Sequence, residues 1–236
     1  SIYYYNVNFA NEAFKDVRVR QALVHAIDRE ALARDLLKGT ASPGYSVLVP
    51  GSAAFDPAFR DYNFDPEKSK ALLKEAGLEK GVSATISIYA GGEAVAEWVQ
   101  RDAAKVGINL NIRSYDWNSF LAQERTPGAD VGFSSMEWGF LTPYWLSIVG
   151  NSNSGSNTGG YKSEAFDAAV SKAIAATDPA QEVANWREAN RIIAEDVGKI
   201  PLFLERTHYA VGKNVRDFAS PAQAWYDLKK VWLAEK

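Results

Sequence analysis

The 236-residue sequence contains no cysteine. That excludes disulfides, thiolate metal sites and cysteine nucleophiles. Histidine is nearly absent too, with only His25 and His208. The first falls in a helical pattern and the second in a strand pattern, and both read as surface or packed residues. No apolar run approaches the roughly 18 residues that span a bilayer. The first residues lack the basic, apolar and small-residue zones of a secretion signal. Residues 2–9 already read as a strand, so the sequence is expected to begin inside a longer protein. Positive charge is neither in excess nor clustered: 26 Lys and Arg stand against 29 Asp and Glu, for a net charge of −3. Without a basic stripe to neutralise phosphates, nucleic acid is not an expected partner.

Aromatic residues are plentiful, with seven Trp and eleven Tyr, and such rings suit a cleft that encloses a ligand. The spacing predicts helices capped by Asp16 (to about Ile27) and Asp28 (through Leu37), and another starting at Asp65-Pro66 with Leu72, Leu73 and Ala76 inward. Residues 40–63, rich in Pro, Gly and Ser, read as an irregular covering loop. A βαβ unit follows. Ala84, Ile86 and Ile88 alternate as a strand, Ala94, Trp98 and Val99 form a helical face, and Ile108, Leu110 and Ile112 alternate again, which implies parallel pairing. Asp116 caps a short helix to about Glu124, and residues 130–136 read as a strand. Residues 150–160 form a polar, flexible loop. Ser163 caps a helix carrying Phe166, Val170 and Ile174, and Asp178-Pro179 starts one ending near Val197. Residues 200–204 and 208–211 read as a strand pair, and the tail is aromatic again over 224–233. Helices interleaved with strands imply an α/β architecture, a mixed sheet flanked by helices.

Most chemical motifs fail on spacing. There is no Gly-Xaa-Ser-Xaa-Gly elbow, since Gly150 and Gly155 have one residue too many between them. Gly155 and Gly160 have the spacing of a phosphate loop, but Tyr161 stands where its Lys belongs, with Lys162 and Ser163 displaced by one. Asp61, Asn63 and Asp65 open like a calcium loop, yet Pro66 replaces the Gly of the sharp turn and Leu72 the bidentate Glu. A plain loop and a capped helix account for both segments. No cofactor or metal site is expected. One constellation survives: Met136, Glu137, Trp138, Gly139, Phe140 and Leu141, with Tyr144 and Trp145 beyond. It lies at the end of a predicted strand, where α/β sheets collect ligands. It reads either as an apolar wall with a few polar points or as ordinary core.

Several blocks stand in a definite order: Val17-Arg18-Val19-Arg20-Gln21-Ala22, Ala26-Ile27-Asp28-Arg29-Glu30, Asp65 to Leu73, Gly160 to Asp167, the Asp178 helix and Ile200-Pro201-Leu202. In this order and spacing the chain resembles, from about residue 2 to about 233, the C-terminal lobe of family 5 extracellular solute-binding proteins. These serve peptide, nickel and oligosaccharide ABC importers. The resemblance implies a type II periplasmic-binding fold, a ligand cleft shared with a second, N-terminal lobe, and no catalysis. It makes residues 1–236 a single lobe, with 1–9 and about 213–236 as connections to that other lobe. Trp138 matches a Trp lining the cleft of peptide binders. There an Asp three residues on pairs with the ligand's α-amino group, and here that place holds Leu141. Leu cannot orient an ammonium as a buried carboxylate does, so either the solute lacks a free amine or is a sugar or opine-like molecule, or the anion lies elsewhere, with Glu137 as a candidate.

The leading expectation is therefore a binding module. It takes a small solute (peptide-like, opine-like or oligosaccharide) together with the N-terminal lobe and delivers it to an ABC permease. The expected location is periplasmic or extracellular, with a lipoprotein tether possible in a longer protein. The rival is a hydrolase with a spatially assembled Ser/His/Asp or paired-carboxylate site, which requires a closed pocket containing that geometry.

Overall fold

A computed structural model of the chain describes residues 1–138, 140–219 and 226–234. The chain divides into two compact units, Ser1–Glu205 and Arg206–Lys236.

The first unit is built on six strands: β1 (Ile2–Val7), β2 (Ala41–Pro43), β3 (Val82–Tyr89), β4 (Ile108–Tyr115), β5 (Val131–Trp138) and β6 (Lys199–Glu205). Their spatial order is β2-β6-β1-β5-β3-β4. β3 runs parallel to β4 and β5, whereas β1 is antiparallel to β5 and β6, and β2 to β6. β1 therefore lies inside the sheet. All six of its residues are buried, because helices cover both faces. The two-residue period of a strand sends Tyr3, Tyr5 and Val7 into one core and Ile2 and Tyr4 into the other.

The first core receives α1 (Val17–Ala26), α3 (Pro66–Glu75) and α4 (Glu93–Ala104) through Leu23, Leu72 and Val99. Between α1 and α3, α2 (Arg29–Ala31) runs into a π-helical turn, Leu32–Leu36. The second core receives α6 (Trp145–Gly150), α7 (Glu164–Ala175) and α8 (Pro179–Glu195) through Trp145, Phe166 and Trp186. The remaining helix, α5 (Trp117–Arg125), follows β4. The expected caps form: Asp16, Asp28, Asp65, Asp116, Ser163 and Asp178 each accept a backbone N–H of the first turn. Each is worth about 1 kcal/mol. Gly77 and Gly107 follow α3 and α4 with φ of +75° and +95°, a conformation that glycine adopts without strain.

Local expectations fail where the pattern is short or the helix phase ambiguous. The covering loop contains β2, which pairs with β6. The helix begun by Asp28 becomes π-helical. Helix α6 was not anticipated, and Trp145 is fully buried, packed beside Tyr4. Ala94 and Ile174 face solvent; Val95 with Ala96 and Ala173 take the inward places. Residues 208–211 are not a strand, and β6 pairs with β1 and β2 instead. The 150–160 loop is tied by successive hydrogen bonds, Ser154 N to Asn151 O, Asn157 N to Ser154 O and Gly160 N to Asn157 O.

In the second unit, β7 (Val215–Arg216) pairs antiparallel with β8 (Trp232–Leu233). The Trp232 indole donates to Asp217 at 2.8 Å, and Tyr209 meets Phe218 and Tyr226 edge-on.

Candidate functional site

β3, β4 and β5 end at the same edge of the sheet, and an open cleft of about 420 Å³ lies there. Helix α5 forms one wall. Trp117, Leu121, Glu124 and Arg125 fall at i, i+4, i+7 and i+8, one stripe of a helix, and all four face the cleft. The end of β5 supplies Met136, Glu137 and Trp138, and the loop after α6 supplies Gly155, Ser156 and Thr158. Trp117 is 54% exposed, although it stacks on Phe120 and meets Tyr89 edge-on at 5.6 Å. An indole held in place yet open to solvent is ready to stack on a flat ligand.

A buried polar chain runs beneath this cleft. Asn6 donates to Glu124 Oε1 at 3.3 Å and to Thr158 Oγ1 at 2.8 Å, and Thr158 Oγ1 donates to Glu124 Oε1 at 3.0 Å. Lys199 Nζ donates to Asn6 Oδ1. The two ends fix the orientation of the Asn6 amide, since its oxygen must face the ammonium and its nitrogen the carboxylate. Burial raises the Glu124 carboxyl above its ordinary range. Burial likewise lowers the Lys199 ammonium to about 8, opposed by the Glu124 charge. The floor is thus an ion pair bridged by an amide, with every member hydrogen-bonded.

Glu137 lies directly opposite Tyr3 in the β1–β5 ladder, and its carboxylate acts on that of Glu205. Burial and the Glu137 charge raise the Glu205 carboxyl from 4.5 to about 7. A carboxyl that holds its proton more tightly when folded favours the fold fully below its unfolded value. That contribution is lost as pH rises through the folded value. The melting temperature is therefore expected to fall between pH 4.5 and 7, and Glu205→Gln should flatten the fall because its amide cannot ionise. Thermal melts followed by circular dichroism check this; an unchanged slope in the variant would refute the assignment.

Of the residues expected from sequence, Met136, Glu137 and Trp138 meet in the cleft. Phe140 contacts the edge of Trp138, with ring centroids 6.0 Å apart. Both Phe140 and Leu141 pack against the second core, and Leu141 covers Gly51, where a Cβ would stand 2.9 Å from its Cδ2. Gly139 lies outside the described residues. Sequence reasoning missed Trp117, Glu124, Arg125 and Thr158. The signal available for the first three was the stripe on the Asp116-capped helix.

The failed motifs have structural explanations. Asp61 pairs with Arg29, Asn63 O accepts from His25 Nδ1 at 2.7 Å, and Asp65 caps α3. His25 is buried in the first unit and His208 is exposed in the second. Neither bonds to a carboxylate or hydroxyl among the described residues.

The profile of bacterial extracellular solute-binding proteins, family 5 (middle region), matches residues 1–160. The di/tripeptide-binding protein 2 of Pseudomonas aeruginosa is 29% identical over 241 residues, which cover 96% of this chain and 44% of that protein. The heme-binding protein A of Haemophilus influenzae is 27% identical over 218 residues, covering 86% of this chain and 39% of the relative. The oligopeptide-binding protein AppA of Bacillus subtilis, solved with a nonapeptide, superposes with a TM-score of 0.88 at 26% identity, over 99% of this chain and 51% of that one. The fold is that of type II periplasmic binding proteins. The chain spans about half the length of the relatives it matches.

Proposed function

Because the chain belongs to the family 5 bacterial extracellular solute-binding proteins, we propose that it forms one lobe of a receptor that captures a small solute for an ABC importer. The observation that carries this reading is the open aromatic cleft at the strand ends. A recess with one side open supplies half of an enclosure, and a second lobe closing over it completes the contacts. Relatives are named for di- and tripeptides, glutathione and heme, so the solute class is drawn from peptide-like and other small molecules, opines and oligosaccharides included. Met136, Glu137 and Trp138 form the wall, with Phe140 and Leu141 shaping its end. The lobe holds the solute without transforming it. Residues 1–9 and about 213–236 carry the chain toward the second lobe, and a permease recognises the closed state. This places the receptor in the periplasm or outside the cell, with a lipid tether as one means of retention. No helix among the described residues is long and apolar enough to cross a membrane.

Titration calorimetry with di- and tripeptides tests the reading. The 236-residue chain alone should bind weakly or below detection, and a longer protein that includes a preceding lobe should bind at least about tenfold more tightly. Tight binding by the chain alone would refute the half-site reading.

A further inference from the structure

The polar groups lining the cleft are unevenly engaged. Glu124 Oε1 accepts from Asn6 and Thr158, with the Lys199 ammonium one amide behind it. Glu137 acts on Glu205, whose carboxyl its charge helps raise to about 7. Asp130, the nearest acidic residue after Glu124 in sequence, is held by Arg113 at 2.7 Å. The exposed Glu137 thus shares its surroundings with a second acid, and the buried Glu124 is engaged from within the protein.

Several donors are not. Arg125 lines the cleft and is exposed. Its guanidinium has no hydrogen bond or ion pair among the described residues. Nor do the indole N–H groups of Trp117 and Trp138, or the backbone N–H groups of Gly155 and Thr158. Such a set of donors calls for an acceptor. Leu141, just beyond this wall, offers no charge and packs over Gly51. The remaining surface is flat and apolar: two indoles, Leu121 and Met136.

We infer that the cleft takes a solute with a planar apolar body and an anionic group, carboxylate or phosphate, with the body on Trp117 and Trp138 and the anion on Arg125. The inference rests on the solute-binding reading and narrows it. Arg suits either anion because its planar fork gives two parallel N–H···O bonds. The indole surfaces accept the ring without selecting a sequence of side chains. An ammonium in the same position would meet the Arg125 charge, and the neighbouring Glu124 is already engaged by Asn6 and Thr158.

The test uses the isotope-labelled 236-residue chain, with amide and indole N–H resonances followed by NMR. Four probes are titrated: indole-3-propionate and tryptamine, which share a ring and differ in charge, and phenyl phosphate and phenylacetate, which differ in the anion. Indole-3-propionate should saturate the Trp117 and Trp138 shifts at a concentration about tenfold below tryptamine. Arg125→Gln should abolish that difference while both probes still move the indoles, and Arg125→Lys should restore part of it. Whichever of the phenyl probes binds more tightly identifies the anion. Equal or inverted preference in the unmodified chain, or a preference that survives Arg125→Gln, would overturn the charge assignment and leave the cleft as a solute site. NMR shifts register millimolar binding that calorimetry misses, so if no probe shifts either indole at millimolar concentration, the cleft itself fails as the solute site, and this inference fails with it.

Discussion

Asp61→Ala is expected to lower the unfolding free energy by about 3–5 kcal/mol, the largest loss foreseen for a single substitution in this chain. Asp61 and Arg29 form a two-point ion pair, with distances of 2.5 and 3.1 Å, and their side chains are 3% and 2% exposed. Desolvation makes such a pair costly to bury, and burial raises the Asp61 carboxyl despite the Arg29 charge. Removing one partner leaves the other charge buried and uncompensated, which is worse than losing both. Arg29 Nε already lacks a hydrogen bond, and the Tyr45 ring, 5.1 Å from its guanidinium, supplies only a weak alternative. The same reasoning predicts that Arg29→Met with Asp61→Leu recovers most of the loss, since apolar replacement of a buried pair is often near neutral. Urea unfolding of the two single variants and the double variant closes the cycle. Additive losses would show that the two residues act separately.

Gly159→Ala should cost about 3 kcal/mol, the upper end for inserting a methyl into a packed site. It should also disturb the cleft. A Cβ at Gly159 would stand 2.0 Å from the Val7 carbonyl oxygen, a backbone atom of the central strand that cannot move aside. The Gly159 carbonyl accepts from Phe9 N at 2.9 Å, so the loop is fastened to the end of β1 at this point. Displacing it withdraws the Thr158 hydroxyl from Asn6 and Glu124. Thr158→Val removes that hydroxyl while keeping the backbone, and should cost only about 1 kcal/mol. Chemical denaturation midpoints separate the two effects. Equal losses would mean that the loop tolerates the methyl and that the hydroxyl carries the whole contribution.

Much of the architecture was legible because its determinants are local. A carboxylate or hydroxyl before a helical pattern can accept only from the next few N–H groups, so Asp16, Asp65, Asp116, Ser163 and Asp178 marked their helices correctly. The βαβ unit was equally plain, since strand and helix periods differ over stretches of a dozen residues. A three-residue strand such as β2 has no period to read. On α7, Ala173 and Ile174 stand side by side, and only the contact with the core decides which turns inward. The site was half legible for a related reason. Trp138 and its neighbours are contiguous in the chain. The floor joins Asn6 to Glu124 across 118 positions and Lys199 to Asn6 across 193, and nothing near any of these residues announces the others. Likewise Asp61, Asn63 and Asp65 imitated a metal loop by spacing alone, while Asp61 and Asn63 find distant partners, Arg29 and His25, and Asp65 caps the helix that follows it.

β1 also sets a condition on how the protein is made. Its two neighbours, β5 and β6, begin at residues 131 and 199. At the ribosome's pace of about 5–20 residues per second, the first strand precedes the last by roughly 10–40 s. Through that interval an isoleucine, three tyrosines and a valine are displayed with both ladder edges vacant. This is the condition in which one nascent polypeptide most readily captures the same strand of another.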